Sequence, residues 1–196
     1  SQNPLKLSAE KFKFHRDAVS SISIEARQES YQLKNQADDA WKKGNKALSD
    51  TLYTKALQIN SALYDAYRHL GRRAAENKNY SEAVRNFELY LRFTSDTHYA
   101  SWAGDILLVH LKDRDKAKKY YQIALENSHN EKQRQRIYAY WTKHLLIGKH
   151  YNEINEVLSS INDLPDTRYT GEILFNKGMA LYYTGDKENG LILRKK

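Results

Sequence analysis

Residues 64–97 read YDAYRHLGRRAAENKNYSEAVRNFELYLRFTSDT. Two amphipathic helices are written into this stretch, joined by a polar turn at Asn77–Asn79. In the first, Tyr67, Leu70, Gly71 and Ala74 fall on one face of a 3.6-residue period. In the second, Tyr80, Ala83, Val84, Phe87, Tyr90 and Leu91 do the same. Gly71 and Ala83 are small where antiparallel helices must approach closely, and Phe87 is large where their splayed ends leave a gap. A helix pair of this size cannot bury its apolar face alone, so it requires neighbours of its own kind.

Those neighbours are found at a fixed offset. Moving 34 residues back from Ala83, Phe87, Tyr90 and Leu91 gives Ser49, Tyr53, Ala56 and Leu57, and moving forward gives Ala117, Tyr121, Ala124 and Leu125. Gly71 and Ala74 have Ala37 and Ala40 behind them, and Asn79 maps onto Asn45 and Asp113. The segments YRHLGRRA, YSEAVRNFELYL, KALSDTLYTKAL and RDKAKKYYQIAL resemble tetratricopeptide repeats. That family places a large residue, Leu-Gly and then Tyr or Ala in its first helix, and Ala, Phe or Tyr, then Ala in its second. The proline that often closes such a repeat is replaced by Ser61, Ser95 and His129 after the first three copies. The resemblance implies an all-α fold, a right-handed superhelical solenoid of antiparallel helix pairs.

About four and a half repeats are expected, over residues 30–63, 64–97, 98–130, 131–165 and 170–196, after a helical cap or lead-in over residues 1–29. In the third copy the first helix fits best with Ala100, Ala103, Gly104 and Leu107 inward. That is one residue out of step and predicts a one-residue shift before Asp113. The fourth copy is offset by 37 rather than 34 residues (Ala117 to Ile154, Tyr121 to Leu158), and the loop around Ser128–Lys132 is expected to hold the difference. The fifth turns at Gly185-Asp186 and stops at Leu193-Arg194-Lys195-Lys196, which suggests a fragment of a longer protein or a short capping helix.

Composition narrows the chemistry. With no cysteine, disulfides, thiol catalysis and Cys-ligated zinc are excluded, and neither the cytoplasm nor the periplasm is favoured. No apolar run approaches the length of a membrane span, which is the pattern of a soluble protein. Seven histidines form no metal-binding motif: His144 and His150 are separated by a turn, and no HExxH or Gly-rich phosphate loop occurs. No catalytic residue, metal site or cofactor is expected, and an enzyme is disfavoured.

A protein-interaction module is the favoured function, a scaffold within a larger assembly or a longer protein. In tetratricopeptide proteins the first helices line a concave groove where partners bind. By the register above, the resemblance places Tyr31, Lys34, Trp41, Arg68, Arg72, Arg136 and Lys143 on that wall, with Leu108 and Ala139 beside them. A partner peptide or helix with acidic and apolar residues would suit it, since Arg makes bidentate contacts to carboxylates and aromatic rings act as anchors. Self-association is a further possibility. The carboxylate clamp of tetratricopeptide co-chaperones is not reproduced: Lys34 matches its lysine, but Asp38 stands where an asparagine is needed.

Nucleic acid is the rival partner. Net charge is +8, and residues 110–149 hold ten Lys and Arg against four Asp and Glu. Lys116, Lys118, Lys119 and Arg134, interleaved with tyrosines, form a candidate patch for an anionic partner such as single-stranded RNA.

Overall fold

The computed structural model describes residues 4–159, 161 and 164–193. It is all-α among those residues, with eleven α-helices and one π-helical segment: α1 (Pro4–Ser20), α2 (Ile24–Lys42), α3 (Lys46–Ile59), α4 (Tyr64–Glu76), α5 (Tyr80–Phe93), α6 (Thr97–Ile106), the π segment (Leu107–Leu111), α7 (Arg114–Glu126), α8 (Glu131–Ile147), α9 (Tyr151–Leu158), α10 (Thr170–Thr184) and α11 (Lys187–Leu193). Arg194, Lys195 and Lys196, with which the fifth repeat was expected to end, lie outside the described residues. No helix among the described residues is long and apolar enough to cross a membrane. The chain divides into two compact units, Ser1–Tyr99 and Ala100–Lys196.

In both units the turn inside each helix pair repeats one device. A residue with positive φ follows the first helix (Gly44, Lys78, Lys112, Lys149, Gly185). The next residue begins the second helix, and its N–H reaches back to the first: Asn45 to Ala40, Asn79 to Ala74, His150 to Leu145, Asp186 to Leu181. This is the Schellman closure that satisfies otherwise orphaned carbonyls. Four of the five then cap the second helix through a side-chain oxygen: Asn45 to Leu48 N (3.2 Å), Asn79 to Glu82 N (3.4 Å), Asp113 to Lys116 N (3.0 Å) and Asp186 to Asn189 N (3.3 Å).

The third turn explains the register shift expected before Asp113. There the N–H of Asp113 bonds to Leu107 O, one residue further back than in the other turns. The additional residue is held inside the π segment, whose wider turn accommodates it without a loop. Ala100, Ala103, Gly104 and Leu107 are buried, as their spacing predicts. The loop around Ser128–Lys132, by contrast, does not take up the added length of the fourth copy. Only residues 127–130 separate α7 from α8, while α8 itself runs 17 residues against 13 in α4.

In unit 1, Ala37, Tyr53, Ala56, Leu63 and Ala66 form one buried cluster. Gly71 receives the Phe87 ring so closely that a Cβ there would stand 2.5 Å from its Cε1 atom. Tyr99 packs edgewise on Tyr90 and lies 5.2 Å from the Phe87 centroid. The lead-in helix α1 packs on the end of α5 rather than on α2 and α3: Phe14 meets Phe93, His15 meets Tyr64 and Phe93, and the Lys11 ammonium donates to Leu91 O and Thr94 O. In unit 2, Tyr121 is buried against Gly104 on one side and stacks on Trp141 on the other.

Ser49 occupies the small-residue position that Ala83 and Ala117 fill in the next two copies. It is fully buried, and its hydroxyl finds no partner. Ser49→Ala removes an unsatisfied group at no cost in packing, so it should raise stability by about 1 kcal/mol. Urea unfolding followed by circular dichroism measures this, and a loss of stability would show that the hydroxyl is satisfied in solution.

Candidate partner-binding surfaces

In unit 1 the inward face of α4 is occupied by Ala66, Gly71 and Ala74. Arg72 is left exposed, and Arg68 is half-exposed, 3.2 Å from Asp65 one turn earlier. On α2, Tyr31 is 53% exposed beside Gln28 and Asn35, along a shallow open depression. Lys34 is not free to serve a partner in the same way, because its ammonium lies 2.8 Å from Asp38.

Asp38 is a structural acceptor rather than a groove charge. The Tyr53 hydroxyl donates to it from α3. Burial pushes the Asp38 carboxyl up, but the bonds from Lys34 and Tyr53 outweigh this and hold it below its usual range. Unit 2 repeats the arrangement: the Tyr121 hydroxyl donates to Asp105 (2.6 Å), and His144 Nδ1 lies 3.1 Å from the same carboxylate. Burial first, then the adjacent carboxylate, pushes the pKa of both tyrosine hydroxyls above the ordinary phenol range. In the intervening copy the large residue is Phe87, which has no hydroxyl, and the position equivalent to Asp38 is Arg72.

Trp41 is half-buried, in a cluster at the turn end of α2. His69 packs edge-on at 4.7 Å, the Arg73 guanidinium lies 5.7 Å from the ring centroid, and the Lys46 ammonium lies 5.3 Å from it. His69 also lies against Tyr53 (4.3 Å) and within 3.3 Å of Asp50. Burial depresses the His69 imidazole below its ordinary value; Arg72 and Arg73 act in the same direction, and Asp50 opposes them. The folded state therefore prefers neutral His69. Its stabilising contribution is complete above the ordinary histidine value of about 6.5 and is lost as pH falls through the lower folded value. Between pH 7 and pH 5 the wild-type Tm should fall more than that of His69→Phe, which keeps the stacking but does not titrate. Parallel pH profiles would contradict this.

In unit 2, Arg136 is half-buried on α8, and Lys143 is exposed with its ammonium 3.6 Å from Glu172. Leu108 and Ala139, expected on the groove wall, are buried instead. Leu108 lies within the π segment, whose wider turn rotates it inward. Ala139 is buried where α8 meets its neighbours, alongside Gln135, Ile137 and Thr142.

The basic patch is divided by its partners. Lys118 lies 2.7 Å from Glu156, and Arg114 is bonded to Glu153, so one face of α7 is tied to α9. Arg134 points back toward Leu125 O and Glu131. Lys116 is half-buried and Lys119 exposed on the other faces of α7.

No protein-family model matches the sequence, and no curated protein matches it. Among solved structures, the chain is similar to a crystal structure of YrrB, described as a TPR protein with an unusual peptide-binding site. The TM-score is 0.57 at 20% sequence identity, with 82% of this chain and 80% of that chain covered. At that identity the likeness speaks for the backbone arrangement, and it agrees with the paired helices, the Schellman turns and the small-against-large packing described above. The chain therefore has a tetratricopeptide-like, all-α helical-repeat fold.

Proposed function

We propose that the protein is a non-enzymatic interaction module in which exposed faces of the first helices hold a peptide or helix carrying acidic and apolar residues. The observation that carries this reading is the outer face of α4. Arg72 is exposed and Arg68 half-exposed there, with Asp65 beside them, while Ala66, Gly71 and Ala74 are buried on the other side of the helix. Two guanidinium groups one turn apart suit the carboxylates of a partner. Within the same unit Tyr31 offers an exposed aromatic ring, and unit 2, taken by itself, presents Arg136 on α8. The peptide binding described for YrrB supports this class of function, as does the service of tetratricopeptide-like repeats as scaffolds in larger assemblies.

The test is a pull-down from a native extract with wild type and with Arg68→Glu combined with Arg72→Glu. Partners retained by the wild type should be lost by the double variant, whose circular dichroism and Tm should stay unchanged. If every partner is still retained, the α4 face is not a binding surface. The nucleic-acid reading is the weaker one, because Glu156, Glu153 and Glu131 already engage Lys118, Arg114 and Arg134.

A further inference from the structure

Along one edge of unit 2, the end of the π segment and the end of α8 enclose a cleft of about 500 Å³. Its apolar wall is made by Leu108, Val109 and Ile147. Ile147 is 71% exposed, a large aliphatic side chain left open to solvent at the end of α8. Lys112, Arg114, His144 and His150 also line the cleft. Glu153 engages Arg114 and lies 3.9 Å from His150, and Asp105 engages His144 at the back of the cleft. Lys112 is in no ion pair among the described residues.

Two features of the backbone keep this cleft as it is. Lys112 and Lys149 adopt φ of 58° and 60°, as Lys78 does in its own turn, where the other two turns carry Gly44 and Gly185. A lysine in that conformation is strained in a way glycine is not, yet here the side chain is present. Gly148 lacks the Cβ that would stand 2.7 Å from His150 Cδ2, so the imidazole can lie over the turn and face the cleft. Burial first, and then Lys112 and His144, depress the neighbouring His110.

We infer that this cleft is a docking site for an acidic peptide segment that also carries an apolar side chain. The apolar group packs on Leu108, Val109 and Ile147, and a carboxylate meets Lys112, since Arg114 is already held by Glu153. Charge complementarity selects the acid, and the exposed aliphatic wall selects a partner that is more than an anion. The volume is that of a site able to enclose a few side chains. This inference rests on reading the chain as a peptide-binding module and names a place where such a peptide is anchored.

The experiment is fluorescence anisotropy of a labelled peptide that alternates Asp or Glu with Leu or Phe, titrated with the full chain. Lys112→Glu and Ile147→Asp should each weaken binding by about tenfold or more, as expected for loss of an anchor at a small interface. Lys112→Gly should weaken binding without lowering Tm, because it relieves the turn while removing the charge. The same peptide with Asn and Gln in place of the acids should bind poorly. If the cleft variants bind as the wild type does while Arg68→Glu with Arg72→Glu loses the peptide, the cleft is overturned and the module reading survives. If the peptide does not bind the wild type at all, both fail. Binding of single-stranded RNA in place of the peptide, lost on Lys112→Glu, would also overturn the proposal.

Discussion

Phe87→Ala should destabilise unit 1 by about 3–5 kcal/mol, the cost of emptying a fully buried aromatic site. The ring is completely enclosed, with Gly71 on one side and Tyr99 on the other. Neither neighbour can collapse into the space: Gly71 has no side chain, and Tyr99 is already held against Tyr90. Urea titration followed by circular dichroism reads the loss as a fall in midpoint. A change below about 1 kcal/mol would mean that the site repacks, and the account of Gly71 and Phe87 as a matched pair would be wrong. The pairing can also be measured directly. Gly71→Ala alone forces a methyl into the ring and should cost roughly 1–3 kcal/mol. In the Phe87→Ala background the same methyl enters a void, so its cost should vanish or reverse, giving a clear coupling energy.

Gly190→Ala is the second large effect. A Cβ at Gly190 would stand 2.7 Å from Gly178 O, 2.7 Å from Tyr182 N and 3.0 Å from Tyr182 Cα. These are backbone atoms of α10 and cannot rotate aside as a side chain can. The substitution should therefore displace α11 from α10, at a cost toward the upper end of the roughly 1–3 kcal/mol range for overpacking. Limited proteolysis near Lys187 should accelerate in parallel. Gly171→Ala, in the first turn of α10, is the control: nothing lies within 4 Å of its Cβ, and a better helix former there should be neutral or mildly stabilising. Equal behaviour of the two variants would remove the close approach of α10 and α11 as an explanation.

What could be read from the sequence follows from what periodicity records. Buried faces repeat, so Ala83, Phe87 and their counterparts at Ser49, Tyr53, Ala117 and Tyr121 were legible, as was the single-residue slip before Asp113. The form of that slip was not legible, because a π turn leaves the same spacing as a longer loop. Spacing also misplaced the added length of the fourth copy, since α8 lengthens within the helix. Leu108 and Ala139 lie inward for a related reason: a widened turn, and a helix packed over a wide arc of its surface, each break the simple division into inner and outer faces.

Charged positions were harder to read. Asp38 and Asp105 count as polar groove residues in any pattern, yet each accepts from a tyrosine on the second helix of its own pair. Lys34, Lys118 and Arg114 likewise look available in sequence and are committed to carboxylates in the structure. A carboxylate's partner is a matter of three-dimensional proximity, and neither charge counts nor helical period encodes it. Arg72 differs because its copy carries Phe87, which has no hydroxyl for an acid to receive.

The tyrosine–carboxylate bonds give the molecule a built-in optical reporter. Forming a phenolate at Tyr53 or Tyr121 would set a second anion directly against the part-buried Asp38 or Asp105. Both rings therefore remain neutral in the folded chain at alkalinity where an unfolded chain releases the proton, and folding weakens as pH rises beyond the ordinary phenol value of about 10. Of the phenolate absorbance of the fifteen tyrosines, the last part, which Tyr53 and Tyr121 supply, should not grow gradually with added base. It should arrive together with the loss of helical signal, so that a spectrophotometric alkaline titration times the opening of the helix pairs without any label.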